Sequence, residues 1–136
     1  MTALVLDLAI NPVPLERARV VTDKTIAGTR TRSFTPERSR AFKDEFQWAA
    51  RAGGARGPAR TSDLAIHLEF WRHHKGANRG DLDNLVKAVL DAGNQFLWHD
   101  DRQILELHAR IVTAGPTTTG RIRLELVELK PPGAPA

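Results

Sequence analysis

A chain of 136 residues with 41% hydrophobic and 26% charged content has the composition of one soluble domain, long enough for a single core and too short for two. It contains no cysteine, which excludes disulfides and thiolate metal sites and leaves oxygen and imidazole as the metal donors. The net charge of +4 and pI near 10.1 conceal an uneven distribution, since residues 1–80 carry 14 Lys/Arg against 8 Asp/Glu and residues 81–136 carry 6 against 8.

Leu4, Leu6, Leu8 and Ile10 alternate with other residues, so residues 3–10 read as a half-buried strand closed by the turn signal Asn11-Pro12. That start lacks the basic head and small-residue cleavage site of a secretory leader, and no apolar run has membrane-spanning length, so a cytoplasmic protein without a membrane partner is expected. Residues 11–34 show no period and read as a long, basic, Thr-rich loop. Thr35-Pro36 then opens a helix whose apolar stripe is Phe42, Phe46, Ala49 and Ala50, ending at Gly53-Gly54. Leu64, Ile66, Leu68 and Phe70 predict a second strand, followed by the basic turn 72–80. Leu82, Leu85, Val86, Val89 and Leu90 recur at helical spacing and predict a helix over 82–93. Leu105, Leu107, Ala109 and Ile111 alternate, as do Ile122, Leu124 and Leu126, which suggests a β-hairpin with a long tip. The order β-α-β-α-β-β predicts a single α+β domain over residues 1–130, a mixed sheet with two helices packed on it, and a disordered tail at 131–136.

Two features of charge point toward nucleic acid and metal. Residues 17–40 hold seven basic residues against Asp23 and Glu37, a balance that suits a phosphate backbone as well as a solvated loop. Five of the nine aspartates fall between 81 and 101, with two tight pairs, Asp81-x-Asp83 and Asp100-Asp101. In extended backbone leading into a helix, Asp81 and Asp83 can face one point while Leu82 packs inward, and clustered carboxylates are what a hard divalent cation needs. Each pair also has a plain reading, as a helix N-cap or a turn. Lys87 lies one helical turn after Asp83 and Asp91 one turn further, either as a solvated ladder or with the Lys87 ammonium beside a metal. Asn84 follows Asp83 and can fix a carboxylate by hydrogen bonding.

Taken together, the string from Arg79-Gly80-Asp81-Leu82-Asp83-Asn84-Leu85 through Lys87-Ala88 and Leu90-Asp91-Ala92, followed by Trp98-x-Asp100-Asp101-x-Gln103-Ile104, resembles the RusA family of Holliday junction resolvases. The segments at 11–19 and 32–42 extend the likeness over about residues 4–129. The resemblance implies a homodimer that binds four-way DNA junctions and nicks two opposed strands with Mg²⁺ or Mn²⁺ and no small-molecule cofactor. By motif position Asp81, Asp83 and Asp101 match the family's essential acidic residues, Lys87 its lysine, and Asp100 the adjacent acidic position. The implied metal ligands are thus Asp81, Asp83, Asp100 and Asp101, and the expected DNA contacts are Arg17, Arg19, Arg30, Arg32, Lys75 and Arg79. Trp71 and the terminal strands are the candidate dimer surfaces.

Rival readings have less support. His99-Asp100 matches the signature of a metal phosphohydrolase in letter only, since that architecture is all-helical and this motif lies among strands. A nucleotidyltransferase needs a Gly-Ser turn where Leu68 to Trp71 stands. His73-His74-Lys75 reads as a DNA-facing turn, and His67 and His108 as strand-face residues. A catalytically silent junction-binding module would share the basic segment and the fold, and metal-dependent nicking separates it from a nuclease.

Overall fold

The computed structural model describes residues 3–15, 19–25, 28–34, 37–72, 81–112 and 120–129. Its elements in chain order are β1 (Ala3–Leu8), β2 (Arg19–Thr25), β3 (Gly28–Phe34), α1 (Glu37–Ala52), β4 (Leu64–Trp71), α2 (Leu82–Gly93), β5 (Ile104–Ile111) and β6 (Arg121–Glu128). Successive strand residues point to opposite faces, and the apolar parity decides which face is covered. Leu6 and Leu8 of β1, Leu64, Ile66, Leu68 and Phe70 of β4, and Ile122, Leu124 and Leu126 of β6 are all buried. They form one apolar face. The strands lie in the order β1-β6-β4-β5, with β6 antiparallel to both its neighbours and β4 parallel to β5. This is the mixed sheet of an α+β domain that the sequence order predicts.

Both helices cover that face. Phe42, Phe46 and Ala50 recur every four residues along α1 and are buried, with the two phenyl rings 6.0 Å apart. Leu85, Val86, Val89 and Ala92, spaced by one or three residues along one face, are among the buried residues that α2 contributes. Each such Phe, Leu or Val side chain removed from water contributes roughly 1.5–3 kcal/mol. The helices also touch directly, Gln47 Nε2 donating to the Ala92 carbonyl at 3.0 Å. Parallel strands cannot be joined by a tight turn, so the chain between β4 and β5 must cross over, and α2 is that crossover. Its two ends therefore lie toward opposite ends of the sheet.

Two expectations need correction. Residues 19–34 do not form a loop: β2 and β3 pair antiparallel as a separate two-stranded sheet, in register from Arg19 with Phe34 to Thr25 with Gly28. The cause is β-branched content, Val20, Val21, Thr22, Thr25, Thr29 and Thr31, which favours strands without any apolar alternation to announce them. Nor do β5 and β6 form a hairpin, because β4 lies between them. Alternation reveals a strand but not its partner, and β5, reached through α2, pairs with β4. The tail expected to be disordered lies outside the described residues.

The opposite face of the sheet carries charges and rings. Arg121 lies over the Trp71 ring at 4.3 Å and is bonded through both Nε and Nη2 to the Asp7 carboxylate, tying β6 to β4 and β1. Trp71 is thus half-buried beneath a guanidinium, and the exposed tryptophan is Trp48 on α1, at 75%. The His67 and His108 rings stack at 4.6 Å, in keeping with strand-face positions. The Arg121 hydrogen bond holds the Asp7 carboxyl below its ordinary 3.8, so this pairing contributes stability above that pH and loses it as the carboxyl protonates. Arg121→Ala is expected to lower the urea midpoint slightly at pH 7, with the gap from the parent closing as pH falls below 3.8. Urea titrations of both proteins across that range check it. Among the described residues, no helix is long and apolar enough to cross a membrane.

Candidate active site

The first polar residues of interest stand at the head of α2. Asp81 occupies the N-cap with extended backbone, φ −86° and ψ 158°, and its carbonyl accepts from Asn84 and Leu85 N–H at 3.1 Å each. Its carboxylate makes no capping hydrogen bond, although capping is the usual work of an aspartate there. Leu82 packs against the core as expected, but Asp83 lies inside the helix and not in the extended lead-in expected for both aspartates; it is exposed in the first turn, where the positive end of the helix dipole favours an anion. Asp83, Lys87 and Asp91 then follow at four-residue steps, each exposed and each about 6 Å further along one face of the helix. The chain after β1 runs beside this face, Leu15 N–H donating to the Asn84 carbonyl at 3.1 Å.

The second cluster hangs from the far end of α2. The helix stops at Gly93, whose carbonyl accepts from Phe96 at 3.1 Å, Leu97 at 2.8 Å and Trp98 at 3.4 Å, folding the chain back under itself. Leu97 and Trp98 are buried, which anchors a loop whose outer part is a short 3-10 turn, Asp101–Gln103. Asp100 caps that turn in a capping box with Gln103 and also pairs with the Arg102 guanidinium at 3.1 Å. The Arg102 backbone N–H, then its side chain, pulls the Asp100 carboxyl down to about 2. Partial desolvation, the hydrogen bond with Asp100 and the adjacent like charge hold the Asp101 carboxyl above its ordinary value. The two neighbours are thus driven apart in behaviour, one an occupied anion and the other a carboxyl that retains its proton more readily.

Asp101 comes to the face of α2 around Lys87. Together with Leu15, Leu90, Asp91 and Asn94, these two residues line a pocket of about 170 Å³. Asn94, at the helix C-cap, has a buried Oδ1 with no hydrogen-bond partner. Sequence reasoning takes Asp91 for a ladder member and passes over Asn94 and Leu15. The spacing 83, 87, 91, 94 is the signal that places Asp91 and Asn94 on the Lys87 face, whereas Leu15 enters only through tertiary structure. Among the described residues, no three acidic or histidine side chains gather tightly enough to hold a metal on protein ligands alone. Asp81 and Asp83 lie at one end of the polar stripe, and Asp101 faces its middle.

The family model of endodeoxyribonuclease RusA matches residues 9–126, a span that includes every aspartate just described. This chain belongs to the RusA endodeoxyribonuclease family. No curated protein matches it. The polar stripe on α2 and the Asp100-Asp101 turn both lie within the matched span, and the β4–α2–β5 crossover brings them against each other. Of the expected DNA contacts, Arg19, Arg30 and Arg32 lie in the hairpin, opposite Phe34, Asp23 and Val21 in register. Arg17, Lys75 and Arg79 lie outside the described residues, as do His73 and His74.

Proposed function

We propose that this RusA-family chain resolves four-way DNA junctions by paired, symmetric nicking, as a homodimer that uses Mg²⁺ or Mn²⁺. The observation that carries the metal-dependent part is the Asp81 carboxylate, which stands at a helix N-cap without capping it. A carboxylate withheld from its usual local bond, two residues before Asp83, is suited to a ligand from outside the chain. Mg²⁺ is commonly held by one or two carboxylates, with water and substrate phosphate completing its shell. The carboxylate oxygens of Asp81 and Asp83 suit a hard cation and not a thiophilic one.

Asp81 and Asp83 would hold the cation, with Asp101 facing the same stripe and Asp100 retained as the cap that shapes its turn. When bound, the metal supplies Lewis acidity and an activated water. Lys87 brings a fixed positive charge to the negative charge that builds on a phosphodiester under attack. We assign to Asp101, which faces Lys87 across the stripe, the exchange of a proton with the water or the leaving oxygen.

One acidic stripe per chain serves one strand, and symmetric cutting calls for a two-fold pair. The edge strand β5 supports that arrangement: it follows directly on the Asp101 turn and leaves Leu105 and Leu107 62% and 47% exposed. Purified protein incubated with labelled four-way junction, duplex and flap DNA in Mg²⁺, Mn²⁺ or EDTA tests the activity. A cruciform plasmid tests the pairing, since paired nicks give linear product and isolated ones open circles. Binding without metal-dependent cutting would favour a silent junction-binding module instead.

The basic hairpin is assigned to the DNA backbone. Replacing Arg30 and Arg32 together by Ala should weaken binding to every DNA form and lower the log-log salt slope by roughly 0.9 for each phosphate no longer neutralised. Gel shifts across a salt series measure the slope, and an unchanged value removes the hairpin from the interface.

A further inference from the structure

The turn that carries Asp100 and Asp101 is only three residues long, and a single 3-10 turn has little stability of its own. Something must fix where it stands. The Gln103 side chain bridges it to the segment entering β4: Oε1 accepts from His99 N–H at 2.8 Å and Asp100 N–H at 2.9 Å, while Nε2 donates to the Arg60 and Ser62 carbonyls at 2.8 Å each. A primary amide has two donors and an acceptor oxygen with two lone pairs, and here every one is used. The four partners also settle the amide orientation, because N–H groups surround one end and carbonyls the other. No charged or apolar side chain of that length offers both halves.

Main-chain bonds follow the same seam, Arg60 N–H to the Leu97 carbonyl at 3.1 Å and His99 N–H to the Arg60 carbonyl at 3.3 Å. Gln103 itself does not line the pocket that Asp101 shares with Lys87, Asp91 and Asn94. We propose that Gln103 is a positioning residue of the nuclease site, clamping the acidic turn to the entry of β4 so that Asp101 is presented to the Lys87 face of α2. The assignment rests on the metal-nuclease reading above. It acts on the reaction only through Asp101.

The test compares the full-length parent with Gln103→Ala, Gln103→Glu, Asp101→Asn and the double variant Gln103→Ala/Asp101→Asn. Mn²⁺ binding without DNA is followed by the loss of the free-ion paramagnetic resonance signal, and junction nicking is followed against Mn²⁺ concentration well below each melting temperature. Gln103→Ala is expected to lower kcat at least tenfold, with the Mn²⁺ concentration for half-saturation and the junction Kd in EDTA unchanged. Gln103→Glu keeps the acceptor half but turns a carboxylate oxygen toward the Arg60 and Ser62 carbonyls, so it should lose at least as much as Ala, and it carries the test should Gln103→Ala not fold. In the Asp101→Asn background, Gln103→Ala should change neither metal binding nor rate further. Variants that melt lower but match the parent in kcat overturn the assignment while leaving the nuclease reading in place. Independent, multiplying losses in the double variant overturn it too. A parent that neither binds Mn²⁺ nor nicks overturns the nuclease reading and the assignment with it.

Discussion

Asp81→Asn and Asp83→Asn should each abolish junction nicking while leaving junction binding intact or tighter. Asparagine keeps the shape and the oxygen but removes the charge that makes a carboxylate a good ligand for a hard cation. Metal assistance is worth several kcal/mol of barrier, and each 1.36 kcal/mol is a factor of ten, so losses of about a thousandfold or more are expected. Binding should survive because each change also removes a negative charge from beside a phosphate. Asp81 contributes no capping bond that the substitution could break, so the melting temperature should hardly move. Lys87→Ala is the companion variant. Its exposed ammonium should cost about 0–1 kcal/mol of stability but about 10²–10³ in rate. Nicking and gel-shift assays on the same samples decide both, and a near-parental rate for either aspartate variant sinks the metal assignment.

The sequence revealed those residues more readily than it revealed the sheet that holds them. Period and caps are local properties, so α2 reads correctly to the residue from Leu82 to Gly93, and Leu6, Ile66 and Leu124 announce buried strand faces. Strand partnership is not local. Nothing in the alternation of residues 105–111 says that β5 pairs with β4 and not with β6. The hairpin of β2 and β3 escaped for a related reason: Arg19 to Phe34 has strand-forming residue types but no apolar alternation, so period finds nothing there. Both acidic pairs were legible as clusters. Their different surroundings were not, because they depend on Arg102 occupying Asp100 and on the fold turning Asp101 toward Lys87. The glutamine of the motif was visible as a letter, but the carbonyls it binds are more than forty residues back in the chain.

Gly93 and Trp98 should be coupled strongly enough for a second substitution to reverse the sign of the first. Gly93 ends α2, and a Cβ built there would lie 2.5 Å from the Trp98 ring carbons Cη2 and Cζ2. The indole cannot easily give way, because Trp98 is fully buried and its own backbone is bonded to the Gly93 carbonyl. Gly93→Ala should therefore cost about 1–3 kcal/mol as overpacking. Trp98→Ala should cost about 3–5 kcal/mol by opening a cavity beneath the loop that carries Asp101. With the ring gone the clash goes too, and alanine is the better helix former by up to about 1 kcal/mol. Added to Trp98→Ala, the Gly93→Ala change should thus be neutral or stabilising, so the double variant is at least as stable as Trp98→Ala alone. Urea unfolding of the four proteins completes the cycle. Additive losses would mean that Gly93 is required for some reason other than the indole above it.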